Sequence, residues 1–118
     1  MSQRELHANL KVWITDETGK VIFGAGRMSL LDAIERNGSI LKAAKELSMS
    51  YRSAWGRIRA TEERLGEPII EKIPGAGRRG GSRLTPRGEE LLKKYRRLLQ
   101  ALNEASAESF DEIFLVDD

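Results

Sequence analysis

Arginine is gathered at two places in this sequence where its chemistry could be used. Residues 50–57 read Ser-Tyr-Arg-Ser-Ala-Trp-Gly-Arg, and residues 75–83 read Gly-Ala-Gly-Arg-Arg-Gly-Gly-Ser-Arg. A guanidinium is permanently charged and presents a planar fork of donors, so it suits a phosphate or the two acceptors on a guanine edge. Neither run holds a nucleophile beside a general base. The chain has no cysteine and one histidine, His7, which excludes disulfides, thiolate metal sites and an imidazole cluster. Glu62, Glu63 and Glu67 have no histidine or aspartate at ligand spacing, so general acid–base work on a carboxylate pair is unsupported as well. The expectation is no catalytic, cofactor or metal site and no enzyme activity.

The glycine run at 75–81 formally matches G-x-G-x-x-G, but that fingerprint requires glycines that leave a strand and open a helix inside a βαβ unit. A second short strand follows here instead. The loop is better read as a basic wing at the tip of a hairpin, with Arg78, Arg79 and nearby Arg83 able to meet a phosphate backbone or a minor groove.

The elements that would position these residues are marked by periodicity. Residues 10–16 alternate as a half-buried strand, residues 17–19 supply turn chemistry and residues 20–23 return, which makes an N-terminal hairpin. A helical period begins at Arg27 and stops at Gly38. Ser39 then caps a second helix with Ile40, Ala43, Ala44 and Leu47 on one face, and Ser50 caps a third that runs to Gly66 and Pro68. Two helices joined by so short a turn are a helix-turn-helix candidate. Residues 69–73 and 82–85 form a second hairpin around the Gly/Arg loop, and Thr85-Pro86 opens a last helix. The fold class expected is mainly α with small β-hairpins: a winged helix-turn-helix plus a long C-terminal helix.

With Ala54, Ile58 and Leu65 turned inward, the free face of the third helix carries Arg52, Ser53, Gly56 and Arg57. Glycine inside a helix costs roughly 1 kcal/mol against alanine, so Gly56 suggests close approach, to DNA or to another helix. Tyr51 could reach a phosphate through its hydroxyl from the first turn. Ser39 and Lys42 stand at the start of the second helix, where backbone N–H groups and the helix dipole favour an anion. The bland alternative for each is a solvated helix face or surface loop. In the last helix Leu91, Tyr95, Leu98, Leu102 and Ala105 recur at spacings of 4, 3, 4 and 3, a short heptad seam suited to joining two protomers. Packing of that stripe onto its own domain is the alternative.

Charge divides along the chain. Lys and Arg number 20 against 18 Asp and Glu, a net of +2, yet residues 104–118 hold six of the acids and no base. Residues 1–103 therefore carry 20 bases against 12 acids, a net of +8, which points to a polyanionic partner. No apolar run approaches the ~18 residues of a membrane span and no secretory leader is legible, so a cytoplasmic protein without membrane association is expected.

The run Gly38 to Trp55 (GSILKAAKELSMSYRSAW), Leu65-Gly-Glu-Pro with Glu71, the glycine-arginine loop and Leu84-Thr-Pro-x-Gly together resemble the N-terminal DNA-binding domain of ModE-type molybdate-responsive regulators. The helix-turn-helix and the Leu-Thr-Pro-Arg-Gly element are shared more loosely with LysR-type regulators. The resemblance covers about residues 10–100 and implies a homodimeric winged helix-turn-helix transcription factor with the third helix as reader. ModE-type proteins continue into molybdate-binding domains, for which the residues after about 107 leave no room. The chain is expected to be the stand-alone version, with any effector acting through a separate partner or another site.

The domain reading is a DNA-binding unit over 1–85, a dimerisation helix over 86–107 and an acidic tail over 108–118. The function expected is sequence-specific binding of double-stranded DNA to regulate transcription, as a homodimer on an inverted-repeat operator. The DNA-contacting set is Ser39, Lys42, Ser50, Tyr51, Arg52, Ser53, Gly56, Arg57, Arg78, Arg79 and Arg83. A protein-interaction module of the same fold, with the acidic tail as docking segment, is the alternative. It gives no reason to gather arginines on the third helix and the wing together.

Overall fold

A computed structural model describes residues 5–75 and 80–115 of the chain. The elements are β1 (Trp13–Thr15), β2 (Val21–Gly24), α1 (Ala25–Asn37), α2 (Ile40–Glu46), α3 (Tyr51–Leu65), β3 (Ile70–Lys72), β4 (Ser82–Leu84) and α4 (Pro86–Phe114). β1 and β2 form one antiparallel ribbon with Ile14 opposite Phe23, and β3 and β4 form a second with Glu71 opposite Arg83. Asp16 organises the first turn: its carboxylate accepts from the Thr18 hydroxyl at 2.6 Å and from the Thr18 and Lys20 amides at 2.8 and 3.0 Å. The Thr18 hydroxyl first, and then the Lys20 amide, hold that carboxyl below the usual range.

Phe23, Leu30, Leu31, Ile34, Ile58, Ile69, Leu92 and Tyr95 make the centre of a single core to which every helix contributes. Tyr95 is fully buried; its ring meets Phe23 edge-on at 5.1 Å and its hydroxyl donates to the Val12 carbonyl at 2.7 Å. That bond ties the start of the chain to α4. Burial pushes the Tyr95 phenol pKa up. Buried Thr61 donates to the Ile22 carbonyl at 2.6 Å and so fixes α3 against β2. Glu62 is structural: its carboxylate accepts the Ile69 and Ile70 amides at 2.8 and 3.3 Å as the chain enters β3.

Two boundaries differ from the sequence expectation. α1 begins at Ala25 because Gly24, in extended backbone, is its N-cap. α4 continues past 107 to Phe114, so most of the segment read as an acidic tail is helix. No Gly or Pro interrupts residues 104–114, and Phe110 stacks on Phe114 one turn later at 4.9 Å. The heptad seam is split as well. Leu91 and Tyr95, expected at a dimer interface, are buried in the protein's own core because α4 starts there packed on α1 and β4. Leu98, Leu102 and Ala105 stay exposed on the part of α4 that runs beyond the core.

Candidate nucleic-acid interface

The helix-turn-helix is built as the capping residues dictate. Ser39 Oγ accepts from the Lys42 amide at 3.2 Å, and Ser50 Oγ accepts from the Ser53 amide at 3.0 Å. Ala43, Ala44 and Ala54 are buried where α2 and α3 cross. The turn between them places Ser48 at φ +55°, and the Met49 amide returns to the Ala44 carbonyl at 2.9 Å. A serine in that left-handed region costs about 1 kcal/mol, offset here by the packing of α3 on α2. α1 is tied to α2 by a bidentate pair, Arg36 to Glu46 at 2.7 Å for each bond, with the Asn37 amide on the same carboxylate at 3.1 Å. Arg36 first, and Asn37 second, hold the Glu46 pKa down to about 2.

α3 then presents three surfaces. Its inner face is Ala54, Ile58 and Thr61. Its outer face carries exposed Arg52, Ser53 and Gly56, and Arg59 joins them two turns after Arg52. Among the described residues neither Arg52 nor Arg59 has an ion-pair partner. A Cβ added at Gly56 would meet nothing within 4 Å, so no packing contact among the described residues explains this glycine.

On one flank of α3, its first turn faces the base of the wing across a cleft of about 460 Å³ lined by Leu41, Tyr51, Trp55, Ile70, Lys72 and Gly80, with Ser39 at its edge. The Trp55 indole donates to the Tyr51 oxygen at 2.5 Å, which leaves the phenolic proton to point outward. Ser39 and Ser50 likewise accept their capping bonds and keep a proton to donate. The wing base is docked by the Ser82 amide on the Gly38 carbonyl at 2.9 Å. Arg83 lies on β4 rather than at the wing's tip and faces Glu71 at 3.7 Å across the ribbon. Arg78 and Arg79 lie outside the described residues.

Arg57 stands apart from Arg52. It is exposed, but its Nη1 stands only 3.3 Å from where a Cβ of Gly26 would be, so it reaches across the first turn of α1 instead of standing beside Arg52. At that position it joins Arg27, whose pKa is lowered first by burial and then by the charges of Arg64 and Arg57. The missed members are Arg27, Arg59 and Arg64. Arg59 was legible from its seven-residue spacing to Arg52; Arg27 and Arg64 meet Arg57 only through the packing of α1 and β2 on α3. Among the described residues no cluster of His, Cys, Asp or Glu could hold a metal ion, and no helix is long and apolar enough to cross a membrane.

Known proteins are similar to this chain. The molybdenum-pterin-binding protein MopB of Rhodobacter capsulatus is 44% identical over 72 residues, 61% of this chain and 27% of that protein. The transcriptional regulator ModE of Haemophilus influenzae is 34% identical over 88 residues, 74% of this chain and 34% of that protein. The chain thus spans about a third or less of the length of these two relatives. Among solved structures, the CbnR DNA-binding domain in complex with DNA superposes with a TM-score of 0.56 at 25% identity, covering 71% of this chain and 91% of that one. Residues 26–89, from the first turn of α1 to the first turn of α4, match the family described as bacterial regulatory helix-turn-helix protein, lysR family. With the winged helix-turn-helix in place and more than half of the chain inside that match, the protein belongs to the lysR family of bacterial regulatory helix-turn-helix proteins.

Proposed function

We propose that the protein is a sequence-specific double-stranded DNA-binding transcriptional regulator that works as a homodimer on an inverted-repeat operator. The observation that carries this reading is the outer face of α3, where Arg52, Ser53, Gly56 and Arg59 are exposed and, among the described residues, neither arginine has an ion-pair partner. An α-helix ~10–12 Å across matches a major groove ~12 Å wide, and glycine at the contact lets the backbone come close. Arg52 reads a base edge, while Ser39, Lys42, Ser50, Tyr51 and Ser53 hold phosphates through hydroxyl protons, an ammonium and helix-terminal amides. Arg78 and Arg79 extend the contact along the backbone as the wing, with Arg83 at its base. The crystallised complex of a family protein's DNA-binding domain with DNA supports the same use of the fold. α4 supplies the dimer contact through Leu98, Leu102 and Ala105, the members of the seam that the core leaves free.

Selection of bound duplexes from random sequence tests the reading, and absence of any preferred sequence overturns it. On the selected site, Arg52→Ala is expected to lose ~1–3 kcal/mol of specific affinity and to relax preference at one base position, with the melting temperature unchanged. An Arg52→Ala protein that keeps both affinity and preference removes this residue from the reader set. Gly56→Ala separates fold from function in the other direction. The added methyl meets open space, so the fold gains up to about 1 kcal/mol from helix propensity, whereas DNA affinity falls because the methyl stands between helix and groove. Thermal melting and fluorescence anisotropy read the two effects, and affinity that rises with stability contradicts close approach at Gly56.

A further inference from the structure

The flank of α3 opposite the wing cleft ends in a corner made by β2, the first turn of α1 and the side of α3. Three guanidinium groups meet there: Arg27 from α1, and Arg57 and Arg64 from α3. The convergence is built. Arg64 Nη1 donates to the Val21 carbonyl, which fixes it against β2. Arg57 reaches across Gly26, where the missing side chain makes room for it. Arg27 Nε is buried without an acceptor and lines the same recess as Arg57, Phe23 and Thr61. None of the three has an ion-pair partner among the described residues, although the chain pairs Arg36, Arg83, Arg87 and Arg96 with carboxylates elsewhere. Three like charges drawn together, one of them partly desolvated, oppose folding unless an anion completes the site.

The position of the corner identifies the anion. Looking down α3, Tyr51 and Trp55 face the wing cleft, Arg52 and Gly56 form the outer face, and Arg57 and Arg64 lie on the far side of that face. A major groove that admits α3 is bounded by two phosphate strands. One of them falls on the wing side; the other falls on the arginine corner. We propose that Arg27 and Arg57 grip a phosphodiester of the strand across the groove from the wing, with Arg64 as the third charge that keeps the corner positive. This inference rests on α3 entering the major groove.

The test scans the selected operator with single neutral methylphosphonates and compares the parent protein with Arg27→Gln, Arg57→Gln and the double variant. In the parent, one backbone position per half-site, on the strand across from the wing, is expected to lose roughly tenfold in affinity when neutralised, the scale of a hydrogen bond to a charged group. The double variant binds that modified site and the unmodified one equally, and its salt slope is flatter by about 1 per protomer, as expected for one lost phosphate contact. Its melting temperature without DNA is unchanged or higher, because a repulsive contact is gone. A structural role moves the melting temperature down and leaves the scan alone. Identical scans for parent and double variant, or a preserved salt slope, overturn the proposal. Binding of inorganic phosphate by the DNA-free parent at constant ionic strength, lost in the double variant and accompanied by a flat scan, assigns the corner to a free anion and overturns it too. A parent that selects no sequence at all overturns the functional reading itself.

Discussion

Replacement of Gly88 by alanine is expected to destabilise the protein by about 2–4 kcal/mol, a large part of the ~5–15 kcal/mol that a domain of this kind possesses. A Cβ at this position would stand 2.3 Å from the Ile69 carbonyl oxygen and 3.2 Å from its carbon, so the obstacle is backbone and cannot rotate away. Ile69 is held on both sides: its amide donates to Glu62, and its carbonyl accepts the Thr85 amide at 2.9 Å. Any shift of α4 that admits the methyl strains that bond and the cap beside it. Thr85 Oγ1 accepts the Gly88 amide at 3.1 Å while its own proton goes to the Pro68 carbonyl at 2.8 Å. Urea unfolding measures the effect as a lowered midpoint at unchanged slope. A midpoint equal to that of the parent shows that α4 moves freely at its start, contrary to this packing.

The same residues show what is legible in sequence and what is not. Ser39, Ser50 and Thr85-Pro86 announce their helices because an N-cap is local chemistry, and each of the three side chains makes the bond its type implies. Gly38 and Gly66 end α1 and α3 in left-handed backbone for the same local reason. The use of Gly88 as a contact point is not local: it depends on Ile69, nineteen positions earlier, arriving against α4. Ser48 breaks the local rule, since a left-handed residue between helices is ordinarily glycine and nothing in the sequence marks this serine.

The candidate site divides along the same line. Arg52 and Gly56 follow from helical period once Ala54 and Ile58 are assigned to the core. Arg57, five residues from Arg52, falls on the flank of the helix, and its direction there follows from packing: α1 begins with a glycine over which a long side chain can lie. The seam of α4 failed at Leu91 and Tyr95 for a related reason. A heptad stripe states which residues share a face but not what the face packs against, and Phe23, Val12 and α1 take its first turns.

What remains of that stripe leads to the second large effect. The Leu98→Glu, Leu102→Glu protein is expected to sediment as a monomer and to bind the operator about 10²–10⁴-fold more weakly, the loss that accompanies a second half-site no longer tethered. Leu98 and Leu102 are 40% and 37% exposed on a helix of 29 residues, ~43 Å long, whose distal half is mostly exposed. A helical stretch of about 15 residues without a packed face is marginal in water. Its charges are also placed against its dipole, since the last turns hold Asp111 and Glu112 and no base. A second copy running antiparallel relieves both faults. With the pair crossing at Leu102, Glu108 of one protomer lies beside Lys94 of the other at the edge of the seam, whereas a parallel pair gathers the acids of the two last turns together. Glu108→Lys should therefore weaken the dimer, and Lys94→Glu added to the same chain should restore it. Sedimentation at micromolar concentration decides. A parent that stays monomeric at every concentration ends the dimer reading, and a charge exchange that fails to restore association ends the antiparallel one.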